Sequence, residues 1–123
     1  LTEAEAKVIE PSHIAAFFAS PIGARLRKSN AVFRETPFTL RIKPDGQEEY
    51  VFVQGIIDCY FQEDDALVLV DYKTDKEDTD IIRERYRAQL ALYKQALEKI
   101  TKRRVKETAL YLFENNETLY YDF

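Results

Sequence analysis

Two hydrophobic periods divide this chain. From Asp80 to about Lys102 the apolar positions Ile82, Tyr86, Leu90, Tyr93, Leu97 and Ile100 return every three or four residues. That is the helical repeat, and it predicts one long amphipathic helix with Asp80 as its N-cap. A shorter helix is expected from an N-cap at Ser12, where Ile14, Phe17 and Phe18 follow at helical spacing. A second short one follows Ser20-Pro21, with Pro at its first position, and runs to about Ser29.

Between these helices the pattern changes to that of strands. Ala31 to Ile42 carries Val32, Phe33, Phe38, Leu40 and Ile42, with Pro37 marking an edge or a bulge. Lys43-Pro44-Asp45-Gly46 is a turn, and Tyr50 to Phe61 is the next strand. A tight turn at Glu63-Asp64-Asp65 leads into Leu67-Val68-Leu69-Val70, an unbroken apolar run of the kind expected when both sheet faces are covered. After the long helix, Val105 to Glu114 and Thr118 to Phe123 flank a turn at Asn115-Asn116. The fold class is therefore α/β (α+β): a small mixed sheet made of a three-strand meander, a long helix and two further strands, flanked by helices.

Composition narrows the class. The 123 residues are 46% hydrophobic and 33% charged, enough apolar material for one domain with a core. No apolar run is long enough to span a bilayer and no signal-peptide pattern opens the chain, so no membrane partner is expected. The single cysteine, Cys59, excludes an internal disulfide and a cysteine-only zinc or iron–sulfur site built by this chain alone, so a reducing compartment is expected. Methionine is absent, even at position 1, which makes residues 1–123 read as one domain excised from a longer protein. The net charge of −4 argues against holding nucleic acid by bulk electrostatics. Carboxylates gathered around a cation are neutralised when it binds, however, so that number does not exclude a nucleic-acid enzyme. The basic clusters at Arg25, Arg27 and Lys28, at Arg83, Arg85 and Arg87, and at Lys102 to Lys106 read as solvated faces.

The chemistry sits where the apolar strand ends. Asp71 and Lys73 are two apart and share one face of their strand, while Tyr72 points the other way. With the turn centred near Asp64-Asp65, Asp58 on the preceding strand pairs close to Asp71. Two carboxylates and an ammonium then meet beside core residues, at a desolvation cost that a divalent cation would compensate. Such an ion acidifies a bound water and polarises a phosphoryl oxygen, and Lys73 would hold the water and stabilise developing charge. The alternative is a buried Asp–Lys ion pair with Asp58 capping a turn.

Val53-Gln54-Gly55-Ile56-Ile57-Asp58 followed by Val70-Asp71-Tyr72-Lys73-Thr74-Asp75 resembles the active-site core of the RecB-like nucleases of the PD-(D/E)xK, or restriction-endonuclease-like, superfamily. Phe33-Arg34-Glu35-Thr36-Pro37-Phe38 resembles that family's upstream glutamate motif, and Gln89-Leu90-Ala91-Leu92-Tyr93 its Q-L-x-x-Y motif. The set is most similar to the C-terminal nuclease domains of bacterial helicase–nucleases of the AddA/RexA type.

The resemblance implies a metal-dependent deoxyribonuclease acting on single-stranded DNA, an exonuclease within an ATP-dependent helicase–nuclease of double-strand-break repair and recombination in the bacterial cytoplasm. It implies Asp58, Asp71 and the Tyr72 backbone carbonyl as metal ligands and Lys73 as the catalytic lysine. Glu35 would be a supporting acid, its alternative being a solvent-facing strand residue. Gln89 and Tyr93, on one helix face, would orient the catalytic groups or touch substrate phosphate. Mg2+ is the implied cofactor, with Mn2+ or Ca2+ able to replace it in binding; no iron–sulfur cluster is implied, and ATP would belong to the parent helicase. Implied partners are DNA, the parent chain's helicase domains and a partner protein of the AddB/RexB type. One departure is the family's upstream metal-binding histidine in a G-T-x-x-H helix, which this chain lacks. His13 reads as structural or exposed, so the piece alone is expected to be weakly active or inactive. The competing reading is a non-catalytic nuclease-fold module for DNA binding or for assembly with other subunits; a metal phosphodiesterase with another substrate is a third.

Overall fold

The structure is a computed structural model, described here for residues 9–123. The single-domain expectation also covers residues 1–8, which lie outside the described residues. Two short helices, α1 (Pro11–Ala19) and α2 (Pro21–Lys28), precede β1 (Val32–Ile42), β2 (Val51–Glu63) and β3 (Ala66–Lys73). The long helix α3 (Thr79–Thr101) then leads to β4 (Val105–Leu112) and β5 (Glu117–Tyr121). The five strands form one sheet in the order β1-β2-β3-β4-β5. Neighbours are antiparallel except β3 and β4, which run parallel because α3 carries the chain back across the sheet. The expected mixed sheet, with its meander, crossover helix and closing pair, is what forms.

Helix starts differ from expectation by two residues. The N-cap of α1 is Glu10, with Pro11 at the first helical position, and not Ser12. Proline's fixed φ and missing N–H suit that position better than an internal one, so the helix begins at it. The N-cap of α3 is Asp78, not Asp80: its Oδ1 accepts from the Asp80 N–H at 2.9 Å. Ser20 caps α2 as expected, accepting from the Gly23 N–H at 3.1 Å. Here α1 and α2 meet so closely that a Cβ on Gly23 would stand 2.0 Å from the Phe17 carbonyl oxygen, so the corner needs glycine.

The sheet is covered on both faces. On one face α1 and α2 bury Phe17, Ile22 and Leu26 against Cys59, Phe61, Val68, Val70 and Tyr111. On the other, α3 lays Ala96 and Leu97 on Ile57, Tyr60, Leu67 and Leu69, and Ile82 and Leu90 on Leu110 and Leu112. Each such side chain contributes roughly 1.5–3 kcal/mol on burial, which sets the sheet's orientation between its helices. Burial also pushes the Cys59 thiol above its ordinary pKa, as suits a core residue.

Strict alternation would put residues 57 and 60 of β2 on opposite faces. Ile57 and Tyr60 nevertheless pack in the same α3-side cluster, while Cys59 and Phe61 pack under α1 and α2. The alternation therefore slips by one residue at Asp58. On the partner strand the same level is Glu35, flanked by the pairs Arg34↔Cys59 and Thr36↔Ile57 and held at φ 49°. Register is otherwise unbroken across Pro37, which pairs with Ile56 on this edge strand, so Pro37 marks the edge and makes no bulge. The irregularity falls at Glu35, where a left-handed backbone in a non-glycine residue is strained and costs of order 1–3 kcal/mol.

Candidate active site

The β2–β3 hairpin turns at Asp64, held at φ 58°, and its ladder runs from Glu63↔Ala66 to Cys59↔Val70. Continued one step, that register sets Asp58 opposite Asp71. There the backbone ladder stops. Instead, the Asp58 carboxylate takes the Tyr72 N–H at 2.9 Å, standing where a strand carbonyl would stand. Both carboxylates are buried, Asp58 at 7% exposure and Asp71 at 2%.

Lys73 turns back onto this pair. Its Nζ lies 3.4 Å from Asp71 Oδ2, with the lysine side chain 16% exposed. That contact is ionic only: Asp71 Oδ2 is buried and makes no hydrogen bond among the described residues. Burial, then hydrogen bonding with Asp58 and its charge, push the Asp71 carboxyl up to about 7 against the opposing pull of Lys73. An acid held protonated near neutrality, with one oxygen unfilled, is a site short of positive charge.

From α3, Tyr93 faces the two acids. Burial, followed by the charges of Asp71 and Asp58, raises its hydroxyl above the ordinary value. Gln89 donates from Nε2 to the Tyr93 hydroxyl at 3.3 Å, and its Oε1 is buried without a hydrogen-bond partner among the described residues. The Tyr93 ring meets Phe38 edge-on, with centroids 5.3 Å apart. Gly55 makes room for both rings: a Cβ there would lie 2.8 Å from Phe38 and 3.3 Å from Tyr93.

The structure thus brings Asp58, Asp71, Lys73, Gln89 and Tyr93 to one end of the β2–β3 hairpin under α3. Glu35 stands at the level of Asp58 across β1 and β2, but it is exposed. Among the described residues no three His, Cys, Asp or Glu side chains gather as a ready cation cage. His13 is half-buried in the first turns of α1. The basic clusters are mainly engaged in ordinary surface contacts. Arg25 pairs with Glu63 and Glu107, Arg87 with Glu84 at 3.0 Å, and Lys106 with Glu63 at 2.8 Å.

Two residues of this corner were not singled out for chemistry in the sequence. Tyr86 reads there as a member of the apolar stripe, and Asp75 as the last residue of a motif. In the structure Lys73 Nζ sits 4.5 Å from the centre of the Tyr86 ring, and the Tyr86 hydroxyl donates to Asp75 at 2.9 and 3.0 Å. The available signal was the helical spacing of Tyr86, Gln89 and Tyr93, which puts Tyr86 on the same face as the other two.

Comparison with known proteins agrees with this geometry. Residues 5–123 match the family described as the PD-(D/E)XK nuclease superfamily. The chain belongs to the PD-(D/E)XK nuclease superfamily. It is also similar to curated proteins named as ATP-dependent helicase/nuclease subunits of the AddA type. That of Clostridium kluyveri is 47% identical over 130 residues, covering 97% of this chain and 10% of the relative. Those of Alkaliphilus oremlandii and Anoxybacillus flavithermus are 46% and 45% identical, each over 93% of this chain and 10% of the relative. The chain therefore spans about 10% of the length of the relatives it matches. Its five-stranded mixed sheet with flanking helices is the restriction-endonuclease-like architecture of the superfamily, and Asp58, Asp71 and Lys73 stand where the superfamily motif is read in this sequence. No helix among the described residues is long and apolar enough to cross a membrane.

Proposed function

We propose that this chain is the metal-dependent nuclease domain of a bacterial helicase–nuclease, hydrolysing phosphodiester bonds of single-stranded DNA as an exonuclease. The observation that carries this reading is the buried Asp58–Asp71 pair beside Lys73, with Asp71 Oδ2 left without a hydrogen bond among the described residues. A divalent cation fits that donor set, because hard oxygen ligands at an under-neutralised buried pair are what Mg2+ takes. Asp58 and Asp71 would hold it, with Mn2+ or Ca2+ able to replace it in binding. The Tyr72 carbonyl would complete the protein's share, since a residue's N–H and C=O leave a strand on the same side and the Tyr72 N–H already points to Asp58. When bound, such an ion supplies Lewis acidity at the phosphoryl oxygen and a more acidic water.

The chain's own groups do the remaining work. Lys73 orients the attacking water and stabilises charge building on the phosphate as the P–O bond breaks. Gln89, with its free Oε1, and Tyr93 position that water or a phosphate oxygen. Glu35 supports the site from the neighbouring strand, through water. Strand supply by unwinding, ATP hydrolysis and pairing with a protein of the AddB/RexB type in the bacterial cytoplasm belong to the parent protein, as the names of its relatives suggest.

A cleavage assay tests this in the full-length protein on single-stranded DNA with Mg2+. The unmodified protein is expected to cleave, and Asp71→Ala and Lys73→Ala to abolish cleavage with unwinding intact. Metal binding without cleavage would instead favour a non-catalytic module, and cleavage that survives both substitutions would place the chemistry elsewhere.

A further inference from the structure

We infer that the Tyr86 ring is a cation–π platform that keeps the Lys73 ammonium in place for the reaction, with Asp75 and Arg85 locking that ring. The inference rests on the nuclease reading above and deepens it. Lysine is a flexible chain carrying a point charge, so a catalytic lysine needs something to fix its amine. Lys73 has two such contacts: Asp71 Oδ2 at 3.4 Å and the Tyr86 ring face at 4.5 Å. They differ in one respect. A cation held by Asp71 neutralises the carboxylate that attracts Lys73 and itself repels the ammonium. The ring quadrupole is unchanged by that event, and it continues to attract the amine when the ion pair no longer does.

The ring is itself immobilised. Tyr86 packs on the cluster of Ile82, Leu90, Leu110 and Leu112. Its hydroxyl donates to both oxygens of Asp75, two residues past Lys73. Asp75 in turn pairs with Arg85, which also holds Glu77 at 3.0 Å. The chain between β3 and α3 is thereby pinned to the first turns of α3, and the lysine and its platform are fixed by one set of contacts. Tyr86 and Asp75 are positioning residues: neither is placed to touch the reacting atoms.

The test uses the full-length protein, single-stranded DNA and Mg2+, with Tyr86 replaced by Phe, Leu and a series of progressively fluorinated phenylalanines. Fluorination drains the ring's negative face without changing its shape, so it leaves folding intact and isolates the electrostatic role. Tyr86→Leu is expected to lower kcat about tenfold. Tyr86→Phe should restore most of that, and each added fluorine should lower kcat again. KM and the Kd for Mn2+ should stay put throughout. In the Mg2+-loaded protein the Lys73 ε-methylene protons should carry an upfield ring-current shift that Tyr86→Leu removes. A kcat indifferent to fluorination, a Phe variant as poor as Leu, or a missing ring-current shift overturns the inference while leaving the nuclease reading intact. Failure of the unmodified protein to cleave overturns that reading and takes this inference with it.

Discussion

The Asp58 carboxylate accepts the Tyr72 backbone N–H at 2.9 Å, so an acidic side chain closes the β2–β3 ladder where a carbonyl would otherwise do so. One group is thereby both a structural acceptor and a candidate ligand, and substitution can separate the two roles. Asp58→Asn keeps an acceptor for Tyr72 and removes the charge. Asp58→Ala removes both and leaves the N–H short of a partner, at roughly 1–3 kcal/mol. Denaturant unfolding should show the alanine variant less stable than the asparagine variant by about 1 kcal/mol or more. Both should lose metal binding. Equal stability of the two variants would mean that the hydrogen bond contributes nothing.

Asp71 provides the pH dependence. Its carboxyl is raised from 3.8 to about 7, chiefly by burial. The folded, metal-free protein therefore holds this proton more tightly than the unfolded chain does. That contribution to stability is fully present below about pH 4 and is lost as pH rises to about 7. Asp71→Asn, which carries no charge at any pH, should then make the metal-free protein more stable at pH 8, by on the order of 1 kcal/mol or more. The advantage should shrink towards pH 4. Mg2+ should raise the Tm of the unmodified protein and leave that of the variant unchanged. An Asn variant less stable at pH 8 than at pH 4, relative to the unmodified protein, would contradict the sign.

Gly55 holds space for the rings that position Tyr93. Its added Cβ would press on Phe38 at 2.8 Å, and a phenyl ring packed against Tyr93 cannot yield without moving that residue. Gly55→Ala should cost roughly 1–3 kcal/mol as an overpacked site and should lower cleavage with little change in metal affinity. Unfolding and cleavage measured on the same variant check both halves.

Much of this was legible in the chain. The helical period from Ile82 to Ile100 and the unbroken run Leu67 to Val70 fixed the crossover and the central strand, and the tight turn at Asp64-Asp65 set the register that brings Asp58 to Asp71. The caps were missed because Ser12 and Asp80 are good capping residues in their own right; Pro11 and Asp78 prevailed through backbone geometry. The slip in alternation at Asp58 and the positive φ of Glu35 were not legible, because a one-residue change of face leaves no mark on a strand apolar on both sides. Nor was the role of Tyr86, since an aromatic on an apolar helix stripe looks the same whether it covers leucine or a lysine amine.

Glu63 gives an opposite pH dependence away from the site. Arg25, and then Lys106, hold its carboxyl down from 4.5 to about 2. That contribution is present above about pH 4.5 and is lost as pH falls towards 2. Because the pair is partly exposed, solvent screening keeps it within about 1 kcal/mol. Glu63→Gln should lose no more than that at pH 7, and the loss should shrink in high salt, as unfolding at two ionic strengths would show.

Calorimetric titration of the nucleotide-free protein with Mn2+ probes the carboxylate pair itself. A saturable site is expected at pH 8, weaker at pH 6 because the ion must displace the proton on Asp71. It should be absent in Asp71→Asn. Binding heat that is the same in the Asn variant, or no binding to the unmodified protein at either pH, would contradict the assignment of Asp58 and Asp71 as the seat of the metal.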